Sequence, residues 1–199
     1  MLDQKTTTIP SFIQSSAREH ALVRDVLIVI AASLLIAVAA QVSVPIPFSP
    51  VPMTLQPMAV LLVGAVLGSV RGGAAAALYL LEGATGLPVF AGGKGGLVWL
   101  IAGPTAGYLL SYPFVAWVTG WLSERGWSRS PLSTIPMMMI GIAMIHLGGW
   151  SWLAAMMGLG MSEAFVLGTA PFLMGDLVKI AIAAALLPSI QSIVGRLER

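Results

Sequence analysis

Three ionisable side chains, Glu82, Asp176 and Lys179, interrupt otherwise apolar stretches of this sequence. A charge at the middle of a membrane helix costs about 2.5–3.5 kcal/mol on insertion scales, so such residues pair, face a wet cavity or bind a ligand. Asp176 and Lys179 are three positions apart and therefore share one face of a helix. We expect this pair to form the floor of a ligand pocket. An internal ion pair that only lowers the insertion cost is the alternative.

Two further charged residues are weaker candidates. Glu82 lies at the end of an apolar run, close to the expected membrane interface, where simple hydration is the alternative to a binding role. Lys94 stands among four glycines and is either a binding residue or a solvated loop lysine.

The composition identifies lipid as the solvent of the helices that must position these residues. Hydrophobic residues make up 57% of the 199-residue chain and charged residues 9%, whereas a soluble domain carries about 25% charged residues. A spanning helix needs about 20 mostly apolar residues. The sequence predicts an all-α, polytopic membrane protein with six transmembrane helices, over residues 22–44, 55–69, 74–84, 102–123, 132–149 and 171–194.

Prolines and glycines mark the connections between these helices. Four prolines between residues 45 and 52 end the first helix in a stiff, extended loop. Arg71, Gly72 and Gly73 predict a tight turn between the second and third helices, and residues 86–96 form a glycine-rich loop. Residues 150–168 mix Trp, Met and Gly and are expected to form a helix on the membrane surface.

The first predicted helix has two properties of its own. Its apolar run is followed by Ala37-Val38-Ala39, which also fits a cleaved signal peptide; the long polar lead and the membrane-embedded remainder favour an uncleaved helix. Ser33 and Ala37 have the small-xxx-small spacing that allows close helix approach. They form either an interface with a partner membrane subunit or ordinary internal packing.

The positive charges predict the orientation, because Lys and Arg concentrate in cytoplasmic loops. With both termini in the cytoplasm, Lys94 is the one basic residue outside and Lys179 lies within a span. The other eight are inside: Lys5, Arg18, Arg24, Arg71, Arg125, Arg129, Arg196 and Arg199. We expect residues 1–21 to be a cytoplasmic N-terminal segment and residues 22–199 to be a single six-helix membrane domain with a ligand pocket near the outer face.

Several kinds of chemistry are not supported by the sequence. The string Gly92-Gly93-Lys94 is not a phosphate-binding loop, because Pro88 and Gly95 occupy the positions of the required glycine and Ser or Thr. Nucleophile-elbow and zinc-protease motifs are missing as well. With no cysteine and two distant histidines, we expect no enzyme activity, no metal site, no cofactor and no nucleic-acid partner.

Four strings together resemble the BioY family, the biotin-binding S component of energy-coupling factor (ECF) transporters. They are PVPMTLQ at 50–56, GLPVFAGG at 86–93, GPTAGYLL at 103–110 and PFLMGDLVK at 171–179. The last string is the most specific, and the resemblance covers nearly everything from Ala40 to Leu187. Two departures are Met174, where proline is common in the family, and Lys94, where small residues are usual.

The resemblance implies six helices with both ends cytoplasmic and a pocket that opens outward beneath the first, third and fifth loops. It implies high-affinity capture of biotin at a bacterial inner membrane, with a transmembrane coupling subunit, a pair of ATPases and membrane lipid as partners. The acidic and basic residues of the family's last motif contact the ligand, and they fall on Asp176 and Lys179.

Biotin carries ureido N–H donors, a ureido carbonyl, a thioether ring and a carboxylate, which these residue types can bind. Tyr79 or Tyr108 could cover the ring, and the glycine loop could close over it. The candidate binding residues are Asp176, Lys179, Tyr79, Glu82, Gly92, Lys94, Thr105, Tyr108 and Gln56. The rival functions are a stand-alone secondary transporter or facilitator of a small anionic solute, a membrane enzyme acting on lipid, and an assembly factor.

Overall fold

The computed structural model describes the backbone of residues 11–197 and the side chains of residues 20–192. It is predominantly helical, as the sequence predicts. The helices are α1 (Ser11–Gln41), α2 (Gln56–Ala84), α3 (Leu97–Ala102), α4 (Ala106–Glu124), α5 (Pro131–Met157), α6 (Met161–Gly168) and α7 (Leu173–Leu197), with a 3₁₀ turn at Ala170–Phe172. Two short strands, β1 (Ser43–Val44) and β2 (Met53–Thr54), complete the described structure.

The first helix is longer at its N-terminal end than the sequence predicts. Of the expected N-terminal segment, residues 1–10 lie outside the described residues, and the backbone is helical from Ser11 onward. At the other end α1 stops at Gln41, because four prolines follow within eleven residues. The antiparallel pairing of β1 with β2 then closes the proline loop on itself.

A reversal at Gly68 divides α2 into two arms, residues 56–67 and 69–84. Gly68 has φ 82° and ψ 175°, which glycine adopts at no steric cost. A Cβ added to Gly72 would lie 2.6 Å from the Cα of Gly64, so the second arm runs back along the first. The two predicted helices are thus present, but the turn predicted at residues 71–73 is wrong. Glu124 accepts hydrogen bonds from the backbone N–H and the hydroxyl of Ser69 immediately after the true turn, at 2.7 and 2.9 Å.

The predicted surface helix over residues 150–168 is also wrong. Pro131 follows the N-cap Ser130, and α5 then continues without a break to Met157. Gly158, in the left-handed conformation with φ 64°, ends it. Residues 150–157 therefore extend α5, and only the short α6 is a separate helix.

Four stretches of the described chain are long and apolar enough to cross a membrane: His20–Gln41, Gln56–Ala84, Pro131–Met157 and Met161–Ser192. The buried core includes Val60 and Tyr79 of α2, Ala116 of α4 and Met137 of α5.

We call the end of the bundle with residues 42–55, 85–105 and 158–172 the loop end. The opposite end, with Gly68 and residues 125–130, is the turn end.

Candidate functional site

A cavity of about 570 Å³, counted to its open mouth, lies at the loop end. The lining residues come from the proline and glycine loops, α2, α4, α5 and α7. They are Val51, Pro52, Thr54, Gln56, Pro57, Phe90, Ala91, Thr105, Tyr108, Leu109, Tyr112, Ile142, Ile145, His146, Phe172, Asp176 and Lys179.

Asp176 is the centre of the polar part of this lining. Its Oδ1 accepts a hydrogen bond from Nζ of Lys179 at 2.9 Å, and its Oδ2 lies 2.6 Å from Nε2 of His146. All three side chains are buried. Asp176 and Lys179 therefore form an internal ion pair, which is one of the two arrangements that the sequence allows. The same pair lies in the wall of a cavity, as a role in ligand binding requires.

The backbone before α7 fixes where this cluster lies. The 3₁₀ turn at Ala170–Phe172, which contains Pro171, leads into α7 so that Asp176 falls in its first turn. Phe172 packs beside the His146 ring, with the ring centroids 6.1 Å apart. From α4, Tyr108 meets the same imidazole edge-on at 6.3 Å and donates a hydrogen bond to the carbonyl of Gly168 at 2.5 Å.

A second polar group in the wall is the amide of Gln56. Its Nε2 donates to the hydroxyl of Tyr79 at 2.5 Å, and its Oε1 accepts from the hydroxyl of Thr54 at 3.2 Å. Tyr79 in turn donates to the carbonyl of Val89 at 3.2 Å. This chain of hydrogen bonds ties the start of α2 to the glycine-rich loop and holds Gln56 against the cavity.

Five of the nine predicted binding residues line the cavity: Gln56, Thr105, Tyr108, Asp176 and Lys179. They come from three predicted helices, and the fold brings them together at the loop end.

The other four, Tyr79, Glu82, Gly92 and Lys94, are not part of this lining as the structure describes it. Tyr79 is fully buried behind Gln56. Glu82 accepts a hydrogen bond from the hydroxyl of Ser33 at 2.9 Å, which directs it toward α1. Gly92 occupies a turn with φ 71°, and the ammonium of Lys94 lies 3.8 Å from the centroid of the Trp99 ring.

Of the two alternatives for Ser33 and Ala37, the structure favours internal packing over a partner interface. Ser33 is completely buried and Ala37 is 7% exposed. Both face the inside of the chain, where Ser33 bonds to Glu82, so internal packing describes them.

His146 is the member of the polar cluster around Asp176 that the sequence did not single out. One histidine in an apolar helix has no pattern around it, and Asp176 is 30 positions away. The insertion-cost argument that singles out Asp176 also applies to His146, because a polar ring within an apolar span needs a partner too. That argument could have identified His146 from the sequence.

Comparisons with known proteins agree on one family. The profile of the BioY family matches residues 8–196. A Rhizobium etli protein named biotin transporter BioY is 39% identical over 168 residues, which cover 81% of this chain and 89% of that protein. A Pyrococcus horikoshii protein named probable biotin transporter BioY is 40% identical over 157 residues, covering 79% and 90%.

A solved structure has the same fold. It is the crystal structure of the S-component for biotin from an ECF-type ABC transporter, with a TM-score of 0.78. The superposition covers 87% of this chain and 93% of that one, at 23% sequence identity.

Proposed function

The chain belongs to the BioY family, and we propose on this basis that it is the biotin-binding membrane subunit, or S component, of a vitamin uptake transporter. It captures biotin from outside a bacterial cell membrane that it crosses several times.

The observation that carries this proposal is the cavity at the loop end, with Asp176, Lys179 and His146 in its wall. A buried ion pair stabilises a fold only weakly, because removing both charges from water offsets most of their attraction. Its position at an open cavity instead of a sealed core supports a role in ligand binding.

The polar residues of the lining match the ureido and carboxylate groups of biotin, and its apolar residues match the thioether ring and the alkyl chain. Asp176 accepts from the ureido N–H groups, and Lys179 donates to the ureido carbonyl or pairs with the carboxylate. Such charge-assisted hydrogen bonds are strong where water is scarce. Tyr108, Phe172 and Ile145 supply apolar and aromatic surface for the thioether ring and the alkyl chain.

The chain forms a single membrane domain that crosses the membrane six times, through α1, the two arms of α2, α4, α5 and α7. Both termini are cytoplasmic and the loop end faces outward. The positive charges support this orientation, because Arg71, Arg125 and Arg129 lie toward the turn end, whereas Lys94 lies at the loop end.

ATP-driven import requires partners, since the sequence has no phosphate-binding loop of its own. A transmembrane coupling subunit and a pair of ATPases supply the driving force, and lipid surrounds the exposed apolar surface. One such surface is on α1, where Leu34, Leu35 and Val38 are exposed.

Equilibrium binding of labelled biotin to the purified chain in detergent tests the proposal. We expect saturable binding that unlabelled biotin displaces and that thiamin and riboflavin, which lack its fused ureido–thioether rings, do not. The absence of saturable binding, or displacement by thiamin, would contradict it.

A further inference from the structure

His146 is the member of the polar cluster whose part in ligand binding the proposed function leaves open. Its Nε2 lies 2.6 Å from Oδ2 of Asp176 and is used in that contact. Its other nitrogen, Nδ1, is buried and has no hydrogen-bond partner in the described structure. Neither nitrogen is therefore free to bind a ligand directly, and the question is what the contact with Asp176 does for the site.

The two groups that hold the Asp176 carboxylate differ in how firmly each can fix it. Lys179 contacts Oδ1 from the same helix, α7, through a flexible four-carbon side chain. His146 contacts Oδ2 from α5, through a rigid ring. Because the last torsion of an aspartate side chain is broad, the contact from the neighbouring helix is the one that defines how the carboxylate is turned relative to the cavity.

The His146 ring is itself held by two aromatic neighbours. Tyr108 of α4 meets it edge-on with the ring centroids 6.3 Å apart, and Phe172 of the 3₁₀ turn lies at 6.1 Å. The Tyr108 hydroxyl is in turn fixed by its hydrogen bond to the carbonyl of Gly168. The imidazole therefore connects the packing of α4 and of the 3₁₀ turn to the orientation of Asp176.

Asp176 still has acceptor capacity for a ligand. A carboxylate has about four lone-pair sites, and the contacts to Lys179 and His146 involve one on each oxygen. The contact with His146 does not require a particular charge on the ring, since a neutral ring with its hydrogen on Nε2 and a doubly protonated ring both donate from that nitrogen. A carboxylate that is oriented before the ligand arrives avoids the ordering cost that otherwise weakens binding.

We propose that His146 is a positioning residue for ligand binding, which fixes the Asp176 carboxylate in the orientation that the donor groups of the ligand meet. This inference rests on the proposed function, with biotin as the ligand. It adds to that function a residue on α5 that acts through Asp176.

The experiment measures equilibrium binding of biotin to the purified full-length chain and to a series of variants at one position. His146→Gln keeps an N–H donor at about the distance of Nε2 from the backbone, His146→Asn carries the same amide one methylene shorter, and His146→Phe keeps a ring without a donor. We expect His146→Gln to bind within about twofold of the parent chain, and the other two variants to bind roughly fivefold to tenfold more weakly.

The order of these affinities distinguishes positioning from packing. His146→Phe preserves an aromatic ring and His146→Asn preserves a polar side chain, so restored binding in His146→Gln alone identifies a donor at the place of Nε2. Thermal melting without ligand shows that each variant is folded. The matched control is His20→Phe, since His20 is the other histidine and is exposed on α1, and it should bind biotin like the parent chain.

A double variant tests whether His146 acts through Asp176. Removing one residue should abolish the effect of the other if the two act as a unit. In the Asp176→Ala background, His146→Phe should therefore cause no further loss of biotin affinity.

The outcomes separate the inference from the proposed function. If the parent chain binds biotin and His146→Phe binds it equally well or more tightly, the inference is wrong and the proposed function stands. The inference is also overturned if His146→Gln binds no better than His146→Asn, or if His146→Phe causes its full loss in the Asp176→Ala background. If the parent chain shows no saturable binding of biotin, the proposed function itself fails.

Discussion

Nε2 of His146 lies 2.6 Å from Oδ2 of Asp176, across the contact between α5 and α7. The bond joins residues that come from different helices, and it leaves Oδ1 of the same carboxylate for Lys179. The orientation of the acidic group thus depends on how α5 packs against α7. We infer that changes which separate these helices weaken ligand binding even when they do not touch the cavity.

The packing of α4 on α5 provides a first prediction. A Cβ added to Gly149 would overlap the ring of Tyr108, which lines the cavity. We expect Gly149→Ala to destabilise the chain by about 1–3 kcal/mol, as overpacking typically does, and to lower biotin affinity because Tyr108 must move. Thermal unfolding and equilibrium binding in detergent measure the two effects.

Gly160→Ala is the matched control for Gly149→Ala. Gly160 has φ −62°, and no described atom lies within 4 Å of an added Cβ. It should unfold and bind like the parent chain. Equal unfolding temperatures and equal biotin affinities for the two variants would contradict the proposed role of close packing between Gly149 and Tyr108.

A second prediction concerns the hydrogen bonds behind the cavity. Tyr79→Phe leaves the buried amide of Gln56 without its acceptor at 2.5 Å and the carbonyl of Val89 without its donor. Leaving a buried polar group unpaired costs about 1–3 kcal/mol, so the melting temperature should fall. Tyr112→Phe should lower it less, because Tyr112 lines the open cavity and its hydroxyl has no hydrogen bond to another described residue. Equal melting temperatures for the two variants would refute this role of Tyr79.

The sequence revealed part of the site because charge in an apolar helix is conspicuous. The insertion cost of a charge and the spacing of three positions predict Asp176 and Lys179 as a pair on one helix face, and both residues line the cavity. His146 was missed because its pairing with Asp176 arises only when α5 packs on α7. Glu82 was predicted on the same insertion argument as Asp176, but its neighbour in the fold is Ser33 of α1.

Prolines in the sequence predict the ends of helices more reliably than glycines do. The prolines after Gln41 ended α1 close to where the sequence predicted. Gly72 and Gly73, in contrast, stay helical: Gly72 allows the close approach to Gly64, and the chain reverses at Gly68. Glycine serves both backbone reversal and tight packing, and only the three-dimensional contacts distinguish the two.

The proposed orientation gives a third prediction, which the absence of cysteine makes simple to test. Lys94 at the loop end and Arg129 at the turn end are both exposed. In intact spheroplasts, a membrane-impermeant maleimide should label Lys94→Cys, whereas Arg129→Cys should react only after permeabilisation. Labelling of both variants in intact cells, or the reverse pattern, would refute cytoplasmic termini with six spans.

The contribution of Lys179 gives a fourth prediction. Lys179→Gln removes the charge but keeps an N–H donor near Asp176, so Asp176 loses its counter-charge in a buried site. We expect weaker biotin binding together with lower stability. Lys94→Gln is the control, since Lys94 does not line the cavity as described, and it should bind biotin within about twofold of the parent chain. If Lys94→Gln weakened biotin binding and Lys179→Gln did not, the biotin site would lie outside this cavity.

The central claim is that biotin binds to Asp176, and the most direct measurement compares two matched variants in one binding assay. Asp176→Asn and Glu82→Gln each turn a carboxylate in an apolar span into an amide, one inside the cavity wall and one outside it. We expect Asp176→Asn to lose about 1.5–3 kcal/mol of binding free energy, roughly 10- to 150-fold in Kd, while Glu82→Gln binds biotin like the parent. Parental affinity in a folded Asp176→Asn, or an equal loss in both variants, would contradict the account.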